Sequence, residues 1–296
     1  MSEPIFGRVV TAMVTPFTRE GELDAPRAAQ LARRLVEMGS DGLVVTGTTG
    51  ESPVLATEEK VRLWETVLEA VGDRVPVVAG TGTNCTRDSV HLTRLAERAG
   101  ASGVMLVTPY YNKPPAEGLL LHFRTIAEST SLPIILYNVP GRTGVNMTPA
   151  TVARLAEIPN IVALKEASAN LDQVTEVLRL VPPGFSVYSG DDSLTLPVLA
   201  VGGVGVVSVA SHLVAGEIAH MVRAWREGRV EEAARIHRRL FPLFRAMFLT
   251  TNPVPVKAAL RLAGFDVGPV RPPLCELGSQ EEQALAGVMR ASGLLA

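Results

Sequence analysis

Lysine is scarce in this chain. Only four of its 28 cationic residues are lysines, at Lys60, Lys113, Lys165 and Lys257. Cysteine is scarcer still. Cys85 and Cys275 lie far apart and no CxxC pair exists, so neither a disulfide framework nor a zinc site is suggested. The net charge is -2 and no basic block stands out, which argues against nucleic acid as a partner. No apolar run approaches the roughly 18 residues of a membrane span. The first residues, Met1 to Gly7, lack the basic and apolar regions of a signal peptide, so a cytoplasmic protein is expected. Gly80-Thr81-Gly82 lacks the third glycine of a dinucleotide fingerprint, and neither a phosphate-binding GxxxxGK[ST] nor a GxSxG elbow occurs. Glu217 and His220, near His212, form one ExxH spacing, and a single copy does not make a di-metal site. His91, His122 and His237 fall in helical patterns. Metal and cofactor are therefore both expected to be none.

What the chain does have is apolar bulk, 47% against 20% charged, which suits a large buried core. It is arranged as a short apolar run, a loop and an amphipathic helix, eight times over. The strand candidates are 8–14, 42–46, 75–79, 103–107, 133–138, 161–165, 185–189 and 204–209. Each is rich in Val, Ile and Leu without polar alternation, the mark of a strand covered on both faces. Helices are expected at about 26–38, after a Thr57 cap, 86–99, 115–129, 148–156, 171–180, 192–201 and 214–227. Eight such units predict an α/β fold, a (β/α)8 TIM barrel, over residues 1–228. A C-terminal helical region, 229–296, follows with helices near 230–247, 253–262 and 280–294.

One strand candidate is odd. Ile161-Val-Ala-Leu-Lys165 runs four apolar residues into a lysine, and lysine is almost never fully buried unless paired. Either Lys165 reaches water at a strand end, in an ion pair such as one with Glu166, or it sits in a pocket that frees a nucleophilic amine. In barrel enzymes the chemistry sits on loops after the strands' C-terminal ends, and this chain's polar oddities gather there. The second strand runs into Gly47-Thr48-Thr49-Gly50-Glu51, whose hydroxyls and free N–H groups suit a carboxylate. The fourth runs into Pro109-Tyr110-Tyr111-Asn112, which could pack at a subunit contact or supply a phenol. The fifth ends in Tyr137, a phenol able to relay protons, and leads to Arg142, able to fork onto a carboxylate. Gly190-Asp191-Asp192 most simply caps a helix, and Gly205 to Ser208 allows close backbone approach.

Taken together, Gly47 to Glu51, Pro109 to Asn112, Tyr137 to Gly144, Leu164 to Ser168, Gly190 to Asp192 and Asn252 to Lys257 closely resemble the dihydrodipicolinate synthase family of pyruvate-dependent Schiff-base lyases and aldolases. The match spans essentially the whole chain. The resemblance implies condensation of pyruvate with aspartate 4-semialdehyde to 4-hydroxy-tetrahydrodipicolinate, in lysine and diaminopimelate biosynthesis. It implies that Lys165 forms the Schiff base, that Thr49 holds the pyruvate carboxylate, and that Tyr137, Thr48 and Tyr111 relay protons. Tyr111 would reach in from a neighbouring subunit of a homotetramer, a dimer of dimers. Arg142 would bind the carboxylate of aspartate semialdehyde, and Gly190 and Val207 would offer it backbone oxygens. Arg142 also separates this reading from its alternative, a sibling class I aldolase similar to N-acetylneuraminate lyase or acting on keto-deoxy sugar acids. A regulatory lysine site is implied at Ser52, Lys60, Asn84, Asp88 and Tyr110. Thr57, Lys60 and Asp88 depart from the pattern of lysine-inhibited members, and Lys60 would repel an ammonium, so weak or absent inhibition is expected.

Overall fold

The structure, a computed structural model, describes residues 3–295. Eight parallel strands close into a barrel in chain order. They are β1 (Val9–Ala12), β2 (Gly42–Val45), β3 (Val77–Gly80), β4 (Gly103–Val107), β5 (Ile134–Asn138), β6 (Ile161–Glu166), β7 (Ser186–Ser189) and β8 (Gly205–Ser208). The expected (β/α)8 barrel is what the chain adopts, with strand ends moved by a residue or two. Most strands are shorter than their apolar runs, because the run continues into loop residues that are buried without being paired.

Two apolar layers result. The larger lies between the strands and the outer helices and includes Leu31, Trp64, Phe123, Val152 and Ile218. The smaller fills the barrel, with Val10, Val44, Val78, Met105, Ile135, Ala163, Tyr188 and Val207 pointing inward. Phe6 belongs to this inner cluster. A Cβ on Gly103 would lie 2.7 Å from the Phe6 ring, so that glycine leaves room for it. Because strand side chains alternate, the inward set on β6 is Ala163 and then Lys165, whereas Leu164 packs outward.

Helix starts follow local chemistry, with corrections. Asp24 caps the helix Ala25–Glu37 by accepting the Arg27 N–H at 2.9 Å. Thr57 was expected to cap the next helix. Instead Ala56 holds that position and Thr57 is the first helical residue of Thr57–Val71, with the Glu59 carboxylate accepting the Ala56 N–H at 2.9 Å. The expected helix 192–201 divides into a 3-10 turn, Asp192–Leu194, and the helix Thr195–Ala200. The eighth helix, Ser211–Arg226, starts before residue 214 and is kinked there, at Val214. Two short elements were not anticipated, the turn Ser52–Val54 and the single helical turn Pro140–Thr143.

The tail helices, Val230–Ala246, Val254–Leu262 and Ser279–Ala291, pack into the outer layer, where Phe244, Val256, Leu260 and Leu285 share a cluster with barrel residues. A buried ion pair ties this tail to the loop after β2. Lys257 Nζ lies 2.6 Å from a Glu51 oxygen, and the Arg271 backbone N–H donates to the other at 2.9 Å. Lys257 and Arg271 both stack near the Phe17 ring, 4.3 and 4.2 Å from its centroid.

Candidate active site

Lys165 stands at the inward end of β6, buried at 4% exposure. Its register partners are Tyr137 on β5 and Tyr188 on β7. The ammonium lies 4.2 Å from the centroid of the Tyr137 ring. Glu166 does not partner it. That carboxylate points to the other face, where it accepts from Asn138 Nδ2 at 3.0 and 3.1 Å, Gln173 Nε2 at 3.0 Å and the Ser168 N–H at 2.7 Å. Among the described residues, Lys257 is the one lysine with a carboxylate within 4.0 Å. The surface ion-pair alternative for Lys165 is therefore not the arrangement found.

A cavity of about 350 Å³ opens at this end of the barrel, with Thr48, Tyr137 and Arg142 in its wall. The loop that supplies Thr48 is held from both sides. Thr46 adopts a left-handed backbone, φ 59°, and its hydroxyl accepts from Trp64 Nε1 at 2.8 Å and donates to Gly80 O at 3.0 Å. A Cβ on Gly80 would stand 2.4 Å from Thr46 O, and one on Gly82 2.4 Å from Val107 N. These two glycines serve close packing of neighbouring strand mouths, which accounts for them without a nucleotide.

Thr49 is buried, and its hydroxyl accepts from Asn252 Nδ2 at 2.9 Å. The Asn252 carbonyl in turn accepts from an Arg142 guanidinium nitrogen at 3.3 Å. Arg142 rides on the turn Pro140–Thr143, closed by Gly144 in the left-handed region at φ 73°. One buried residue of the tail thus links the two side chains expected to hold carboxylates. Gly190 follows β7, its N–H bonded to Glu166 O at 2.7 Å, and Val207 faces the lumen from β8.

The loop after β7 reads differently from expectation. Its acidic pair does not cap its own helix. Asp192 reaches across to β8, accepting from the Ser208 hydroxyl and from the N–H groups of Val209 and Ala210 at 3.1 and 3.0 Å. Asp191 lies within electrostatic reach of the site: burial pushes its carboxyl up, and the positive charges of Lys165 and Arg142 pull it back. Asp191 and Asn252 are the residues that sequence reasoning did not single out for the site. The mixed apolar-to-acidic junction at 190–192 was the available signal for the first.

The structure does not bring every expected residue together. Tyr111 is 88% exposed with a left-handed backbone, φ 73°, outside the cavity of its own chain. Of the five expected regulatory positions, Ser52, Lys60 and Tyr110 line the cavity. Asp88 lines a separate groove with Arg87 and His91, and the Asn84 carbonyl accepts from Asn112 Nδ2 at 2.8 Å. Cys85 is half-buried beside it and Cys275 is exposed. Among the described residues, no group of three or more His, Cys, Asp or Glu could hold a metal ion, and no helix is long and apolar enough to cross a membrane.

Fold and site together define a (β/α)8 barrel presenting a buried lysine amine, a phenol, hydroxyls and an arginine at the strands' C-terminal ends. A family model described as the dihydrodipicolinate synthetase family matches residues 5–292. The chain belongs to that family. It is 59% identical over 290 residues to the 4-hydroxy-tetrahydrodipicolinate synthase of Desulforudis audaxviator, covering 98% of this chain and 99% of that one. It is 57% identical to the enzyme of the same name from Moorella thermoacetica, again over 98% and 99%. A crystal structure of the Cyanidioschyzon merolae enzyme with lysine bound superposes with a TM-score of 0.98 at 50% identity, covering 99% of this chain and 100% of that one.

Proposed function

We propose that Lys165 is the Schiff-base lysine of this lyase. The enzyme condenses pyruvate with aspartate 4-semialdehyde to give 4-hydroxy-tetrahydrodipicolinate, a step of lysine and diaminopimelate biosynthesis. The observation that carries the assignment of Lys165 is its burial at the barrel mouth with an aromatic neighbour and no carboxylate partner. Its neutral amine attacks the pyruvate ketone, and loss of water leaves a protonated imine. Removal of a proton from the methyl carbon gives an enamine, a carbon nucleophile at neutral pH. That carbon adds to the aldehyde of the second substrate. The substrate's own amine then displaces Lys165 from the imine carbon, closing the ring and freeing the enzyme.

Placement supports the following roles for the surrounding residues. Thr49 accepts from Asn252, which leaves its own O–H free to donate to the pyruvate carboxylate together with nearby backbone N–H groups. Tyr137 and Thr48 form the proton relay with Tyr111, whose exposure suits insertion into a neighbouring subunit. Arg142, with one nitrogen on Asn252 O, keeps other donors for the carboxylate of aspartate semialdehyde. Gly190 and Val207 offer backbone oxygens to the same substrate. We further propose a homotetramer built from dimers, a cytoplasmic location, a barrel unit at 1–228 with an appended helical region at 229–296, and weak or absent inhibition by lysine.

Borohydride reduction in the presence of pyruvate tests the central assignment. A pyruvate-sized adduct is expected on Lys165, and finding it on Lys60, Lys113 or Lys257 instead overturns the proposal.

A further inference from the structure

The end of β6 has two sides. Lys165 points into the barrel, and Glu166, one residue on, points away from it, buried to 4% exposure. Strand β5 matches this pair, with Tyr137 beside Lys165 and Asn138 beside Glu166. Tyr137 and Lys165 belong to the proposed chemistry, whereas Asn138 and Glu166 lie behind it. A carboxylate is costly to take out of water. This one is met by uncharged donors, Asn138 Nδ2, Gln173 Nε2 and the Ser168 N–H. An ionised carboxylate only accepts, so it can take all of them at once.

Those donors lead to the loop that carries Arg142. Asn138 Nδ2 also donates to Asn146 Oδ1 at 2.8 Å, and Asn138 Oδ1 accepts the Met147 N–H at 2.9 Å. One buried side chain thus pinches the base of the loop that runs from Val139 to Met147. Asn146 Nδ2 donates in turn to Gln173 Oε1 at 2.7 Å, on the helix Leu171–Leu180 that follows β6. Glu166 is the acceptor on which the ends of β5 and β6, the Arg142 loop and that helix converge.

We propose that Glu166, through Asn138, is a positioning residue for the reaction. It fixes the strand end that carries Lys165 and the loop that carries Arg142 relative to each other. The amine then meets the pyruvate ketone in the place where Arg142 presents the second substrate. This rests on the roles proposed above for Lys165 and Arg142. A misplacement of about 1 Å at such a site costs up to about 100-fold in rate.

Two constants of the intact enzyme test it: the rate of adduct formation from pyruvate, trapped by borohydride and followed by mass, and the KM for aspartate semialdehyde. Glu166→Gln keeps the size of the side chain but turns an NH2 group towards other donors. Adduct formation should slow by about tenfold or more and the KM should rise by about tenfold, with the final yield of adduct unchanged. A residue that serves folding alone would lower the yield and move neither constant. Asn138→Asp sets two carboxylates against each other across the 3.0 Å now spanned by a hydrogen bond, and should be at least as slow. Combining it with Glu166→Gln restores one amide and one carboxylate to the pair and should recover much of both losses. Asn146→Ala, at the exposed rim, loosens the Arg142 loop alone. It should raise the KM by about threefold and leave adduct formation within about twofold of the parent. The proposal falls if either constant keeps its parent value in Glu166→Gln, if the double variant is no better than the single ones, or if Asn146→Ala leaves the KM unchanged. An adduct that maps to another lysine in the parent enzyme overturns the reading of Lys165 and this proposal with it, whereas parental constants in Glu166→Gln with the adduct on Lys165 overturn this proposal alone.

Discussion

Lys165 and Lys257 are equally hidden, each about 4% exposed, and each ammonium lies just over 4 Å from the centre of an aromatic ring. Their surroundings are otherwise opposite. Lys257 has a carboxylate at 2.6 Å and the Pro269 carbonyl at 2.8 Å, so its donors are spent on holding the tail against the loop after β2. Lys165 has neither, although a glutamate is its neighbour in sequence. Alternation along β6 sends Glu166 to the outer face, where amides saturate it. Burial alone therefore does not tell a structural lysine from a reactive one. The partner set does: one amine is used up by the fold and the other is left for a ligand.

Replacement by methionine should pull the two apart. Lys165→Met should abolish turnover, a loss on the order of 10⁴-fold or more, while unfolding free energy stays level or rises slightly. Lys257→Met strands Glu51 in the interior and should cost about 3–5 kcal/mol in urea unfolding. Adding Glu51→Leu should return much of that loss. Equal destabilisation by the two single substitutions would erase the distinction.

A third buried base sharpens it. Among the described residues His212 has no charge partner, and its Nε2 accepts the Val14 N–H at 3.1 Å, so Nδ1 carries the proton and donates to Val209 O at 2.8 Å. Burial pushes its pKa down to about 4. The unfolded chain, with an ordinary value near 6.5, then binds the proton first as pH falls. Stability from this group is present above about pH 6.5 and is lost towards pH 4, by about 3 kcal/mol in all. His122, also pushed down to about 4, adds a slope of the same sign. Urea unfolding across that range should show the fall, and His212→Gln should flatten it by its own share. A profile unchanged by that substitution would mean His212 is charged or exposed in the folded state.

The smallest effect concerns Asn252, which touches both side chains proposed to hold carboxylates, Thr49 and Arg142. Asn252→Ala should raise the KM for pyruvate by about tenfold with a lesser change in kcat, because Thr49 loses the bond that orients it. An unchanged KM would make Asn252 a packing residue only.

How much was legible in the sequence follows from the range of each interaction. Eight apolar runs without polar alternation specify a barrel because strand burial is a local property. Lys165 was visible because it interrupts such a run, and Arg142 because it stands among turn residues. Asn252 was not, since its bonds to Thr49 and Arg142 span 203 and 110 residues of chain. The same distance hid the Glu51–Lys257 pair, so a glutamate in a glycine–threonine turn gave no sign of its tie to the tail. Asp191 and Asp192 look alike in the sequence, and only the neighbouring strands decide that one feels the charge of Lys165 and the other bonds to β8 and the residues after it.

The Asn252 bridge also bears on how this barrel could be rebuilt. Loops at a barrel mouth are the usual currency of transplantation, because each hangs from its own strand. Here one polar contact of the mouth is delivered from beyond the eighth strand, by a segment that no strand carries. A graft of the eight loops onto another barrel would arrive with Thr49 and Arg142 unbraced, and a circular permutant cut between the barrel and the tail would have to return residue 252 to its place from the other end of the chain.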